Sequence, residues 1–131
     1  MARKASDTLN PVELEFMQVV WSRGEATSLQ VRDDLKEQGR ELTGGSVRKV
    51  LGILHEKGYL TRRKEGRTFI YSPVVPREEA NRNLLRDLLK RAFDGSAAHM
   101  VAALLDSRDV DQQQIEEIKK ILAEREGNGE Q

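Results

Sequence analysis

A mainly α-helical fold carrying one small β-hairpin is expected for this chain of 131 residues. Three observations lead to it. Apolar residues recur three and four positions apart through most of the chain, the spacing that lines one side of a helix. Residues suited to capping, namely Asn10, Thr27, Thr43, Ser96 and Asp111, stand at the head of those stretches. Only after Gly58 does the period shorten: Tyr59-Leu60-Thr61 and Arg67-Thr68-Phe69-Ile70-Tyr71 favour strand on either side of a Glu65-Gly66 turn, and Pro73 closes the run.

The first helix opens at Asn10-Pro11-Val12-Glu13. Asn10 caps, Pro11 suits the first helical position, and Glu13 reaches back to the cap. Leu14, Met17, Val20 and Trp21 form its inward stripe, and Gly24 ends it. Thr27 opens a second helix with Gln30 at the capping-box position; Val31 and Leu35 point inward and Gly39 stops it. Gly39 to Leu42 is a tight connection to the third helix, capped by Thr43 and stopped by Gly58. Val47, Val50, Leu51 and Leu54 make its apolar face. The opposite face holds Gly45, Lys49, Gly52 and Glu56, flanked by Ser46 and Arg48. Gly44, Gly45 and Gly52 each cost roughly 1 kcal/mol of helix propensity relative to Ala. A face this lean, polar and partly basic lets a helix approach another surface closely, and the major groove of DNA admits a helix. An ordinary amphipathic surface helix fits the same pattern. Two short helices about a glycine-containing turn make a helix-turn-helix, and the basic helix stands second, the order that DNA recognition requires. The hairpin that follows is then a wing. Its Arg62, Arg63, Lys64 and Arg67 are placed for phosphate contact, with a charge-protected edge hairpin as the plainer reading.

After Pro73 the character changes. Pro76 starts a long helix with Leu84, Leu85, Leu88, Leu89, Ala92 and Phe93 along one side; Gly95 ends it. Ser96 caps a helix with Val101, Leu104 and Leu105 inward, and Asp111 caps a last one with Ile115, Ile118, Ile121 and Leu122 on one side. Three helices in so short a segment bury that many apolar side chains poorly by themselves. A two-fold homodimer is the simplest cover, and it also places two recognition helices for an inverted repeat. A closed monomeric bundle is the alternative. The expected organisation is a DNA-binding domain over residues 8–73, a helical dimerisation domain over 74–125, and flexible termini at 1–7 and 126–131, with Arg3 and Lys4 in the leading arm.

Charge and composition narrow the function. The chain is neutral overall, but residues 1–73 carry a net +3, residues 74–131 a net −3, and residues 40–71 a net +5. Basic charge concentrated in one segment is the footprint of a phosphate-contacting surface. There is no cysteine, so disulfides, thiolate metal sites and cysteine nucleophiles are excluded. No apolar run approaches a membrane span and the start is polar, which gives a cytoplasmic location without membrane insertion as the expectation. His55 and His99 lack metal-ligand spacing, no Walker-type Lys-Ser/Thr follows Gly44-Gly45, and no catalytic set stands out. Neither an enzyme nor a cofactor is expected. Two other readings stay open: a winged helix used only to bind protein, and a regulator that holds a small ligand along Leu84 to Phe93.

Several stretches together resemble one family. They are Leu9-Asn10-Pro11-Val12-Glu13-Leu14-Glu15-Phe16-Met17 with Val19-Val20-Trp21, Ser46-Val47-Arg48-Lys49-Val50-Leu51 with Leu54, Lys57-Gly58-Tyr59-Leu60, Tyr71-Ser72-Pro73-Val74-Val75 and Ile115-Glu116-Glu117-Ile118. Over about 8–125 the chain resembles the penicillinase repressors, the BlaI/MecI/CopY group of winged-helix transcriptional repressors. The resemblance implies a homodimer that binds an inverted-repeat DNA operator and blocks transcription. It places the base-reading positions at Gly45, Ser46 and Lys49. In the β-lactam-responsive branch, tied to antibiotic resistance, a membrane sensor protease triggers cleavage between an Asn and a Phe of the penultimate helix. The matching bond here is Ala103–Leu104. The copper-responsive branch binds metal through a cysteine-rich tail, which this chain lacks.

Overall fold

The computed structural model describes residues 8–129. The expectations for residues 1–7, with Arg3 and Lys4, and for 130–131 lie outside the described residues. In chain order the elements are α1 (Pro11–Arg23), β1 (Ala26–Thr27), α2 (Ser28–Glu37), α3 (Gly44–Glu56), β2 (Leu60–Glu65), β3 (Thr68–Pro73), α4 (Arg77–Phe93), α5 (Ala97–Asp106) and α6 (Gln112–Gly129). Residues 126–129, expected as part of a loose tail, instead complete α6. Ala123, Glu124, Arg125 and Glu126 are strong helix formers and carry the helix through Gly127.

The expected caps are in place. Asn10 and Glu13 close a reciprocal box, with the Glu13 N–H donating to Asn10 Oδ1 at 2.8 Å and the Asn10 N–H donating to Glu13 Oε1 at 2.9 Å. Thr27 and Gln30 repeat the arrangement on α2. Thr43, Ser96 and Asp111 accept from the third residue of α3, α5 and α6. Gly24, Gly39 and Gly58 leave α1, α2 and α3 with φ of 86°, 93° and 88°, where a Cβ would strain the backbone. Asp94 and Gly95, both at positive φ, turn the chain out of α4.

The compact units divide inside α4, between Asp87 and Leu88, rather than at the expected 73/74 boundary. The start of α4 belongs to the first unit because Ala80 is part of its core and the Arg77 guanidinium lies 5.6 Å over the Trp21 ring. The Trp21 Nε1–H also donates to the Val75 carbonyl at 3.0 Å, which fixes the approach to that helix. The first unit is built on one hydrophobic core: Phe16, Met17 and Val20 from α1, Val31 and Leu35 from α2, Val47, Leu51 and Leu54 from α3, and Tyr59, Leu60 and Tyr71 from the sheet region. The expected α1 stripe of Leu14, Met17, Val20 and Trp21 needs correction. Phe16 and Val19 are buried, while Leu14 and Trp21 are only partly so. Helix α1 packs against α2, α3, β1 and β3, so more than one side of it is covered.

The sheet has three strands in the order β1-β3-β2, all antiparallel neighbours. Strand β1 was not expected. Its two residues pair Ala26 with Tyr71 and Thr27 with Ile70. The β2–β3 register runs from Leu60 opposite Pro73 to Glu65 opposite Thr68. The hairpin turn is therefore Gly66-Arg67, with Gly66 at φ 62° and Arg67 at negative φ, the sign pattern of a type II′ connection.

Candidate nucleic-acid interface

Helix α3 presents its face as the sequence anticipates. Val47, Leu51 and Leu54 are fully buried, which turns Gly45, Ser46, Arg48, Lys49 and Glu56 outward. The exposed Thr43 hydroxyl accepts from the Ser46 N–H at 3.1 Å and donates to the Ser46 Oγ at 2.9 Å, so the first turn is held by its own side chains. Arg48 folds back over Gly44: a Cβ there would lie 3.1 Å from the Arg48 Nη1 and 3.7 Å from the Arg32 Nη1. Arg32, on α2, also donates from Nε to the Leu42 carbonyl at 3.0 Å. Two guanidinium groups thus gather at the start of α3. Sequence reasoning missed Arg32, because no local period connects it with Arg48.

The wing divides its basic run between two faces, since successive side chains of a strand point to opposite sides. Arg62 lines a groove with Lys49, Gly52, Ile53, His55 and Glu56, and so brings the wing's cation beside the exposed face of α3. Its guanidinium lies 4.5 Å from the centre of the Phe69 ring, a cation–π arrangement that holds the side chain. Lys64 shares that side of β2 and is exposed, and Arg67 is exposed at the turn. Arg63 points the other way. Its Nη1 donates to Glu25 Oε2 at 2.8 Å, and its Nη2 donates to Glu25 Oε1 at 3.2 Å and to Glu65 Oε2 at 3.3 Å. The hydrogen bonds from Arg63 hold the Glu25 carboxyl below its usual range. A carboxyl depressed in this way favours the fold above its unfolded-state pKa, and that contribution disappears as pH falls through the folded-state value.

Of the expected contact residues, Lys49 and Arg62 line the same groove, Thr43, Gly45, Ser46, Arg48, Lys64 and Arg67 are exposed, and Arg63 is engaged by Glu25 and Glu65. The residues expected at a dimer interface are all in the helical region. Leu84, Leu89, Phe93, Ile115 and Ile118 are half-buried, while Leu85, Leu88, Val101, Leu104, Leu105, Ile121 and Leu122 are exposed. Ala103 and Leu104 lie within α5, both exposed. Among the described residues no group of His, Asp and Glu is arranged to hold a metal ion, and no helix is long and apolar enough to cross a membrane.

A helix-turn-helix whose second helix turns a lean, basic face outward, with a hairpin set beside it, defines a winged helix-turn-helix protein. The penicillinase repressor family profile matches residues 9–124, and the chain belongs to that family. An uncharacterized 16.5 kDa protein of Latilactobacillus sakei is 32% identical over 110 residues, covering 84% of this chain and 75% of that one. The penicillinase repressor of Bacillus licheniformis is 28% identical over 118 residues, 88% of this chain and 90% of that one. The solution structure of the DNA-binding domain of the repressor BlaI matches with a TM-score of 0.52 at 26% identity, over 60% of this chain and 93% of that domain.

Proposed function

We propose that this protein is a transcriptional repressor that binds an inverted-repeat operator as a homodimer, each protomer laying α3 in the major groove. The observation that carries this reading is the exposed face of α3, with Gly45, Ser46 and Lys49 outward and Arg62 of the wing across a groove from Lys49. Glycine and serine at the leading turn allow the backbone to come close to base edges, so Ser46 and the backbone near Gly45 read bases. Lys49, Arg48, Lys64 and Arg67 have no carboxylate partner among the described residues and supply phosphate contacts. The dimer follows from the apolar faces of α4, α5 and α6, which a single chain leaves uncovered. It would place the two α3 helices about one helical turn of DNA apart. Relief by a sensor protease at Ala103–Leu104 would first require α5 to unwind, because both residues are helical.

The test is a gel-shift titration over a salt series. Lys49→Ala should weaken binding on every duplex and flatten the slope of log K against log salt by about one unit, the counterion equivalent of one phosphate contact. Binding that is absent, or that does not vary with salt, would instead favour a winged helix used only to bind protein.

A further inference from the structure

In the sequence, Arg63 is one more cation of the wing; in the structure its guanidinium is already engaged. Two of its nitrogens meet both oxygens of Glu25, and one of them also meets Glu65. One cation against two carboxylates leaves this cluster with a net negative charge, which repels a phosphate. Its place in the sheet suggests a different use. Glu25 immediately precedes β1 at one edge, and Arg63 sits on β2 at the other. The central strand β3 lies between them, with Ile70 in register with both Thr27 and Arg63. The ion pair therefore crosses the middle strand and joins the two outer ones. Strand β1 contributes only two residues of ladder, so a side-chain link adds appreciably to what ties the hairpin to the turn after α1.

We propose that Arg63 and Glu25 form a clasp that positions the wing beside α3, and that Arg63 is a positioning residue rather than a ligand of DNA phosphate. The work of phosphate contact on β2 then falls to Arg62 and Lys64, on the opposite side of the strand. This inference rests on the DNA-binding reading above for its consequence, though not for its geometry.

The experiment measures affinity for a duplex of mixed sequence over a salt series, together with amide exchange at Ile70 and Tyr71 without DNA. Arg63→Ala and Glu25→Gln should each weaken binding by about two- to five-fold, the range for an exposed pair, and leave the salt slope unchanged. Exchange at the two amides should quicken in both variants. The exchanged pair Glu25→Arg/Arg63→Glu should restore affinity and protection together. The proposal is overturned if Arg63→Ala flattens the slope by about one unit. It is equally overturned if Glu25→Gln tightens binding by freeing a phosphate ligand, if the exchanged pair fails to restore protection, or if Arg63→Ala is indistinguishable from the unaltered protein. Should the unaltered protein fail to bind the duplex at any salt, the DNA-binding reading fails, while amide exchange still decides whether the clasp exists.

Discussion

Lys57 and Glu13 form an ion pair with both side chains largely withdrawn from water. Glu13 is 4% exposed, and its side chain is met by a lysine. One of its oxygens accepts from the Asn10 N–H at 2.9 Å and from Lys57 Nζ at 2.8 Å. Lys57 stands at the end of α3, where the helix dipole favours a cation, and so ties the start of α1 to the end of the recognition helix. Lys57→Ala should lower unfolding stability by about 3 kcal/mol in urea, because it strands a buried carboxylate. Glu13→Gln/Lys57→Met should recover most of that, since the uncompensated charge, more than the missing bond, is what costs. A loss under about 1 kcal/mol for the single variant would mean that water reaches Glu13. The cap half of this cluster is legible in four consecutive residues, Asn10 to Glu13. The Lys57 half is not, because the two lie 44 positions apart and only the folded chain brings them together. The same holds for Arg63, whose basic run suggests phosphate while its partner Glu25 lies 38 residues away.

Helix α3 depends on its cap more than a typical helix does. Gly44 and Gly45 open its first turn with a residue that costs about 1 kcal/mol of helix propensity relative to Ala, and the Thr43 hydroxyl makes two bonds to Ser46 that hold the turn. Thr43→Ala should cost about 1 kcal/mol in urea, and Thr43→Ser should cost little. DNA affinity should fall further than stability does, because the frayed turn is the one that carries Gly45 and Ser46. An alanine variant with unaltered midpoint and affinity would show that the cap is dispensable. Apart from the end of α6, the ends of helices were legible, since each is set by one or two local residues. Strand β1 was not, because two residues are too few to display a period, and its existence depends on the distant Ile70 and Tyr71. The core side of α1 was read too narrowly for a related reason. A helix covered by four other elements buries Phe16 and Val19 as well as Met17 and Val20, and its pattern no longer traces a single stripe.

Taken as a molecule, the chain has one finished half and one unfinished half. Up to Asp87, every large apolar side chain of α1 and α3 is buried or partly so. From Leu88 onward none of the described residues is buried, and Leu88, Val101, Leu104, Leu105, Ile121 and Leu122 are between 41% and 59% exposed. Exposed apolar side chains in that number call for a cover. Self-association is the simplest cover, since a two-fold axis pairs each face with its own copy. Leu88→Asp or Ile118→Asp would then bury an unpaired carboxylate in the interface, and sedimentation should show the dimer replaced by monomer. Melting of the first unit should be little changed, because neither residue belongs to its core. Affinity for an inverted repeat should drop by about a hundredfold or more, the avidity that two linked half-sites provide, while affinity for a single half-site stays the same. Both consequences come from one cause, and they separate its failures. An unaltered chain that sediments as a monomer would remove the dimer and leave α3 as a half-site reader. A variant that becomes monomeric yet still binds the full repeat as tightly would show that the two half-sites are not read by paired copies of α3.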